Sequence, residues 1–139
     1  VNREQRVLEF AKDAIRDIYN KFTDNKVTVV NLKDYDNLPR GTWFEISKGC
    51  EIKIETAPCG VLRLNCKLKQ GTMVTGHVHL DHDERFTMLK GEMADNFNTL
   101  VSWKAGNVYR QHAGFPHEPR AVTDCLMYID LIPLDCQTC

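Results

Sequence analysis

His77, His79, His82 and Glu84 fall within eight residues in the stretch GTMVTGHVHLDHDERFTMLKG, and all five histidines lie between positions 77 and 117. Imidazole and carboxylate together suit a borderline divalent transition ion such as Fe(II), Mn, Ni, Cu or Zn, whereas calcium and magnesium prefer all-oxygen sites. In a β-strand, residues i and i+2 share a face, so His77 and His79 present two imidazoles together while Val78 faces away. The polar LDHD that follows is short enough to reverse the chain, which predicts Glu84 on a neighbouring antiparallel strand beside them. A fourth ligand must come from elsewhere, and His117 is the best candidate. A polar turn that merely happens to be rich in histidine does not account for the shared face and the downstream acid.

The elements that must position these groups are of two kinds. The opening segment REQRVLEFAKDAIRDIYNKF carries Val7, Leu8, Ala11, Ile15, Ile18, Tyr19 and Phe22 at three- and four-residue steps, one apolar stripe on a helix over 3–23. Glu9/Lys12, Asp13/Arg16 and Asp17/Lys21 pair across its solvated face, and Asn2 with Gln5 is placed to cap it. From Val27 onward no helical period is visible. Short β-rich runs such as TWFEIS, EIKIET, VLRLNCKLK and CLMYIDLI recur between turn residues, the pattern of a sandwich or barrel over 27–135. Leu62, Leu64, Cys66 and Leu68 share one face of their strand, with Arg63, Asn65 and Lys67 on the other. The expectation is a single domain over 1–139, all-β apart from one N-terminal amphipathic helix.

The same residues resemble a known family. Gly71, His77, His79, Glu84 and Gly91 occupy every position of the first signature of the cupin superfamily: glycine, five residues, His-x-His, four residues, glutamate, six residues, glycine. The second signature is met by Gly106, Gly114 and His117 in GNVYRQHAGFPHEPRA, with His112 where the family has proline and Ala121 where it has asparagine. Residues 92–105 leave room for little more than one hairpin between the two. The resemblance implies a cupin-type double-stranded β-helix, a jelly-roll barrel. His77, His79, Glu84 and His117 would be the ligands of one divalent transition metal inside its mouth, Fe(II) favoured. Two adjacent positions of a six-coordinate ion would stay open for water, substrate or dioxygen. It also implies a homodimer, for which residues 27 to 33 and the helix stripe are the candidate contacts unless both close the chain's own core.

Other residues have plainer readings beside functional ones. His82 is expected as an exposed turn residue, with a ligand role as the alternative. Asp81 and Asp83 are turn formers. His112, five residues before His117, is the candidate catalytic acid or base, with an exposed turn position as its alternative. Tyr109 and Tyr128 are half-buried packing or inward proton donors, and Phe86 and Met88 share the parity of Glu84 and should wall the pocket. Of the six cysteines, Cys66 and Cys125 read as small buried hydrophobes, and the terminal CQTC as a loose tail.

A net charge of -1 with 27% charged residues gives no basic field for nucleic acid. No apolar run spans a bilayer and the N-terminus is too charged for a signal peptide, so a cytoplasmic protein with a small-molecule substrate or ligand is expected. Three functions follow in order of preference. The first is a mononuclear metalloenzyme, with a dioxygenase slightly ahead of an isomerase or lyase. The second is a non-catalytic module that binds or senses a metal or small ligand, and the third is a metal-free barrel.

Overall fold

The computed structural model describes residues 3–23 and 27–136. The helix α1 spans Arg3–Thr23, and on it Leu8 is half-buried against Val27, Val78 and Leu80, whereas Val7 and Phe10 are exposed. Arg16 and Asp13 pair at 3.3 Å on its surface. The expected cap at Asn2, Cys139 and the side chains of Ile15, Ile18, Tyr19 and Phe22 lie outside what is described.

Eleven strands follow: β1 Thr28–Val29, β2 Trp43–Ser47, β3 Cys50–Thr56, β4 Leu62–Leu68, β5 His77–Val78, β6 His82–Lys90, β7 Glu92–Asp95, β8 Ser102–Lys104, β9 Val108–Gln111, β10 Pro119–Ala121 and β11 Cys125–Pro133. Six of them form one sheet in the order β2-β3-β4-β11-β6-β9. Opposite it, β10-β7-β8 make a second sheet and β1 pairs β5 in parallel. Antiparallel bridges Met73↔Arg120 and His77↔His117 join these two smaller units. The facing layers enclose a core that includes Ile54, Leu64, Met88, Met93, Trp103, Met127 and Leu131. Alternation puts these side chains inward, as expected for β4, where Leu64, Cys66 and Leu68 are all buried.

One β-rich run needs correction. VTVVNL, whose β-branched residues read as a strand in the same pattern, is not one: only Thr28–Val29 pairs, and Leu32–Tyr35 is a 3-10 turn capped by Asn31 and Asp34. Four residues are too few to show a helical period in sequence. The segment is also committed within the chain, through β1 and through Val30 N–H to Val78 O at 3.0 Å. Residues 92–105 do contain the expected hairpin, β7 with β8. Gly91, which opens that hairpin, has φ 88°, and a Cβ there would collide with the backbone oxygen of Asp124. Only glycine fits this position without strain.

On the outer face of the large sheet, Arg63, Asp130 and Arg85 stand in one cross-strand row. Asp130 is fully buried; its carboxylate accepts from Arg63 Nε at 2.7 Å and Nη2 at 3.2 Å, and from Arg85 Nη2 at 3.0 Å. Burial opposes its charge, but the two guanidinium groups hold its pKa below the usual carboxylate value. The stabilisation is therefore present above the unfolded pKa of roughly 3.9 and is lost as pH falls through the lower folded value. Asp130→Asn should destabilise the chain by about 1–3 kcal/mol at pH 7. Urea unfolding at pH 7 and at about pH 3 checks this: the gap to the unmodified chain must narrow at the lower pH.

Candidate metal centre

His77 sits in β5, where its N–H donates to His117 O at 3.0 Å and His117 N–H returns a bond to His77 O at 2.9 Å. This pair fixes two residues forty apart in sequence side by side. Glu84 comes from the opposite layer, in β6, whose inward positions continue with Phe86 and Met88. The ligand atoms of His77, His79, Glu84 and His117 all lie within 4.8 Å of one another. Glu84 is not brought in by a hairpin with β5 as expected. The chain between them crosses from one layer to the other, because β6 pairs β11 and β9 rather than β5. The groups converge from two sheets across the barrel interior.

Hydrogen bonds fix the direction of the imidazoles. His77 Nδ1 lies 2.8 Å from Thr75 O and His79 Nδ1 lies 2.6 Å from Val30 O. A carbonyl only accepts, so each Nδ1 carries the proton and each Nε2 presents a lone pair to the cluster. Those lone pairs are crowded. His117 Nε2 is 2.8 Å from His77 Nε2 and 3.3 Å from His79 Nε2. Glu84 Oε1 is 2.9 Å from His79 Nε2 and 3.3 Å from His117 Nε2, yet it has no well-aligned hydrogen bond. Ligands about 2.1 Å from a common ion sit roughly 3 Å apart when adjacent. The donor set and its spacing fit a transition ion, which would satisfy all four atoms at once.

Electrostatics agree with that fit. Burial, then the neighbouring imidazoles, push the pKa of His77 down and that of His117 down to about 3, which keeps both neutral. Burial disfavours the charge on Glu84 too, but the His79 and His117 rings beside it hold it ionised, well below the usual carboxylate range. The same carboxylate overcomes burial at His79 and raises its pKa.

His77, Glu84 and His117 close one end of a cavity of about 110 Å³. Its walls are apolar, with Ile52, Leu64, Phe86, Met93, Met127 and Ile129, together with the thiols of Cys50 and Cys66, whose Sγ atoms are 4.0 Å apart. Phe86 lines it as expected; Met88 is buried but does not. Tyr35, Ile46, Cys50, Val74 and His77 also line an outer groove of about 660 Å³, so the cavity opens on that side.

Other expected residues are placed differently. His82 is no exposed turn: it begins β6 opposite Pro133, is fully buried, and lies 4.5 Å ring to ring from His79. Its Nδ1 meets Asp81 Oδ1 at 2.6 Å, and its Nε2 has no partner. It stands outside the converging ligand atoms. Asp81 and Asp83 bond to amides distant in sequence, Leu32 at 3.2 Å and Ala113 at 2.8 Å respectively, and so tie loops to the site. His112 follows the buried Gln111 and turns outward; its side chain is 64% exposed and its Nδ1 is 3.5 Å from Asp83 Oδ2. It does not line the cavity. Tyr109 packs edge-on to Trp103 and Tyr128 lies under Arg63 on the outer face. The phenol that does reach the cavity is Tyr35, which sequence reasoning missed because it lies outside both signatures, in a segment with no period.

No family model matches the sequence, and no curated protein matches it. The fold has solved counterparts. KdgF from Halomonas sp. is similar at 18% identity, covering 69% of this chain and 88% of that one, with a TM-score of 0.58. An RmlC-like cupin from Shewanella frigidimarina gives 14%, 68%, 86% and 0.58 for the same quantities. An acetylacetone dioxygenase from Acinetobacter johnsonii gives 12%, 70%, 72% and 0.57. At these identities the likeness speaks for the architecture alone: two facing β-layers around an apolar interior, with three imidazoles and a carboxylate gathered at one end, have the fold of the cupin superfamily.

Proposed function

We propose that this chain is a mononuclear transition-metal cupin whose ion is held by His77, His79, Glu84 and His117, and that it acts as an enzyme on a small molecule, a dioxygenase being favoured. The observation that carries the reading is the convergence of buried donor atoms from two sheets with their lone pairs aimed at one point. Three nitrogens and one carboxylate suit Fe(II), with Mn, Ni, Cu and Zn as alternatives. A bound ion of this class supplies Lewis acidity, and a redox-active one supplies electrons toward dioxygen. The chain's own residues do the rest. Val30 O and Thr75 O hold the two imidazoles in orientation, and Phe86 and the aliphatic walls keep water from the reacting end. That one structural neighbour is an acetylacetone dioxygenase is compatible with this choice.

Elemental analysis of protein purified without a histidine tag should find about one transition-metal ion per chain, absent from a His77→Ala/His79→Ala variant. Protein that takes up none of Fe, Mn, Ni, Cu or Zn would sink the metalloenzyme reading.

Binding to the folded state alone also stabilises it. Free metal at about 100 times its dissociation constant adds about 2.7 kcal/mol, a rise of about 5–10 °C in the melting temperature. Differential scanning fluorimetry with and without chelator should show this rise in the unmodified chain, and Glu84→Gln should lose most of it.

A further inference from the structure

The cavity beside the proposed metal has a definite chemistry of its own. Its volume of about 110 Å³ opens past Tyr35 into the outer groove, so it encloses the metal-facing end of a small molecule. None of its lining residues is a lysine or an arginine. Inside the cavity a carboxylate or phosphate on the ligand would therefore meet no cation except the metal, Lys48 standing on the outer groove. The charge count is tight as well: neutral imidazoles and one carboxylate leave a divalent ion with a single net positive charge. One negative charge on the ligand balances it. A second would stand uncompensated among aliphatic side chains, where burying a charge is costly.

One polar group in the wall has nothing to bond. Tyr35 is 8% exposed and lines both the cavity and the groove at its mouth. Its backbone is pinned, the carbonyl accepting from Arg40 Nη1 at 2.9 Å and from Leu38 N–H at 3.3 Å. Its hydroxyl has no hydrogen-bond partner among the described residues. Burial, with the nearby Glu84 carboxylate, pushes the phenol pKa far up, so the group is a donor at neutral pH. A hydroxyl that lines the cavity and makes no bond within the chain is free to donate to a ligand atom placed there.

We infer that the site takes a small, largely apolar oxygen chelator that carries at most one negative charge when bound, such as a β-dicarbonyl, and that the Tyr35 hydroxyl donates a hydrogen bond to it. The inference rests on the proposed metal at His77, His79, Glu84 and His117. Dicarboxylates and phosphates are excluded by the same walls that admit the neutral skeleton.

Acetylacetone and malonate separate these alternatives, since they share an O–C–C–C–O bite and the same number of non-hydrogen atoms but differ in charge. The full chain loaded with redox-silent Ni(II) is titrated with each by calorimetry, with nickel content measured before and after. Acetylacetone should bind at least about tenfold more tightly than malonate, and Tyr35→Phe should weaken acetylacetone about five- to tenfold with nickel fully retained. The variant removes one oxygen that holds no internal bond, so its fold is not at stake. Malonate binding equally well or better, with nickel in place, overturns the ligand class and leaves the metal reading standing. Unchanged acetylacetone affinity in Tyr35→Phe overturns the role of the phenol. A chain that binds no nickel, iron or other transition ion overturns the metal reading and this inference with it.

Discussion

His77 and His117 exchange both of their backbone hydrogen bonds, at 3.0 and 2.9 Å, and the rest of the site is arranged around that bridge. It joins two stretches of chain that carry the candidate ligands and are separated by β6, the β7–β8 hairpin and β9. Once it forms, the two imidazoles stand 4.3 Å apart, ring to ring, on the inner face of one layer. The Gly114 amide then reaches His79 O at 2.7 Å, so the second ligand-bearing segment is tied to the first at both ends of the histidine pair. Gly114 has φ 88°, a conformation that lets this loop turn back onto the strand. Glu84 needs no such device, because the long β6–β11 pairing already fixes its height in the opposite layer.

The interior pays attention to one end only. Nearly all of the cavity wall is hydrocarbon or sulfur, while three of the five buried side-chain polar atoms without partners among the described residues lie at the histidine end: His82 Nε2, Glu84 Oε1 and His117 Nδ1. Folded proteins satisfy nearly all such atoms, and local departures from that rule concentrate where function demands them. An ionised carboxylate here is held first by the His79 ring, whose own pKa it raises, while burial keeps His77 and His117 neutral. That is an unstable bargain in an apolar medium unless a positive charge completes it.

The legible part of the sequence was the part with a short period or a fixed spacing. His77, His79 and Glu84 lie within a few residues of one another, and the alternation in β3, β4 and β11 reads directly as inward and outward faces. Illegible were features set by contacts remote in sequence. His82 looks like a turn residue beside Asp81 and Asp83, but its exposure is decided by β11, whose Pro133 stands opposite. Asp81 and Asp83 look like local turn formers and instead bond to Leu32 and Ala113, forty-nine and thirty residues away. His112 has the right number of residues before His117 to look catalytic, yet the strand parity after Gln111 sends it into solvent.

The largest omission concerns residues 27–38, which contain no signature residue and yet complete the centre from outside the barrel. Val30 O orients His79, the Asn31 side chain accepts from the Leu80 amide at 3.2 Å, and Leu32 N–H bonds to Asp81. Tyr35, three residues further, enters the cavity. One short segment therefore sets both the direction of a ligand nitrogen and the placement of the phenol facing the ligand space. Because these contacts use backbone atoms and only the side chains of Asn31 and Tyr35, position 35 can vary without disturbing the carbonyl that orients His79. The carbonyl that orients His79 and the phenol in the cavity wall thus lie on the same strap but on separable atoms.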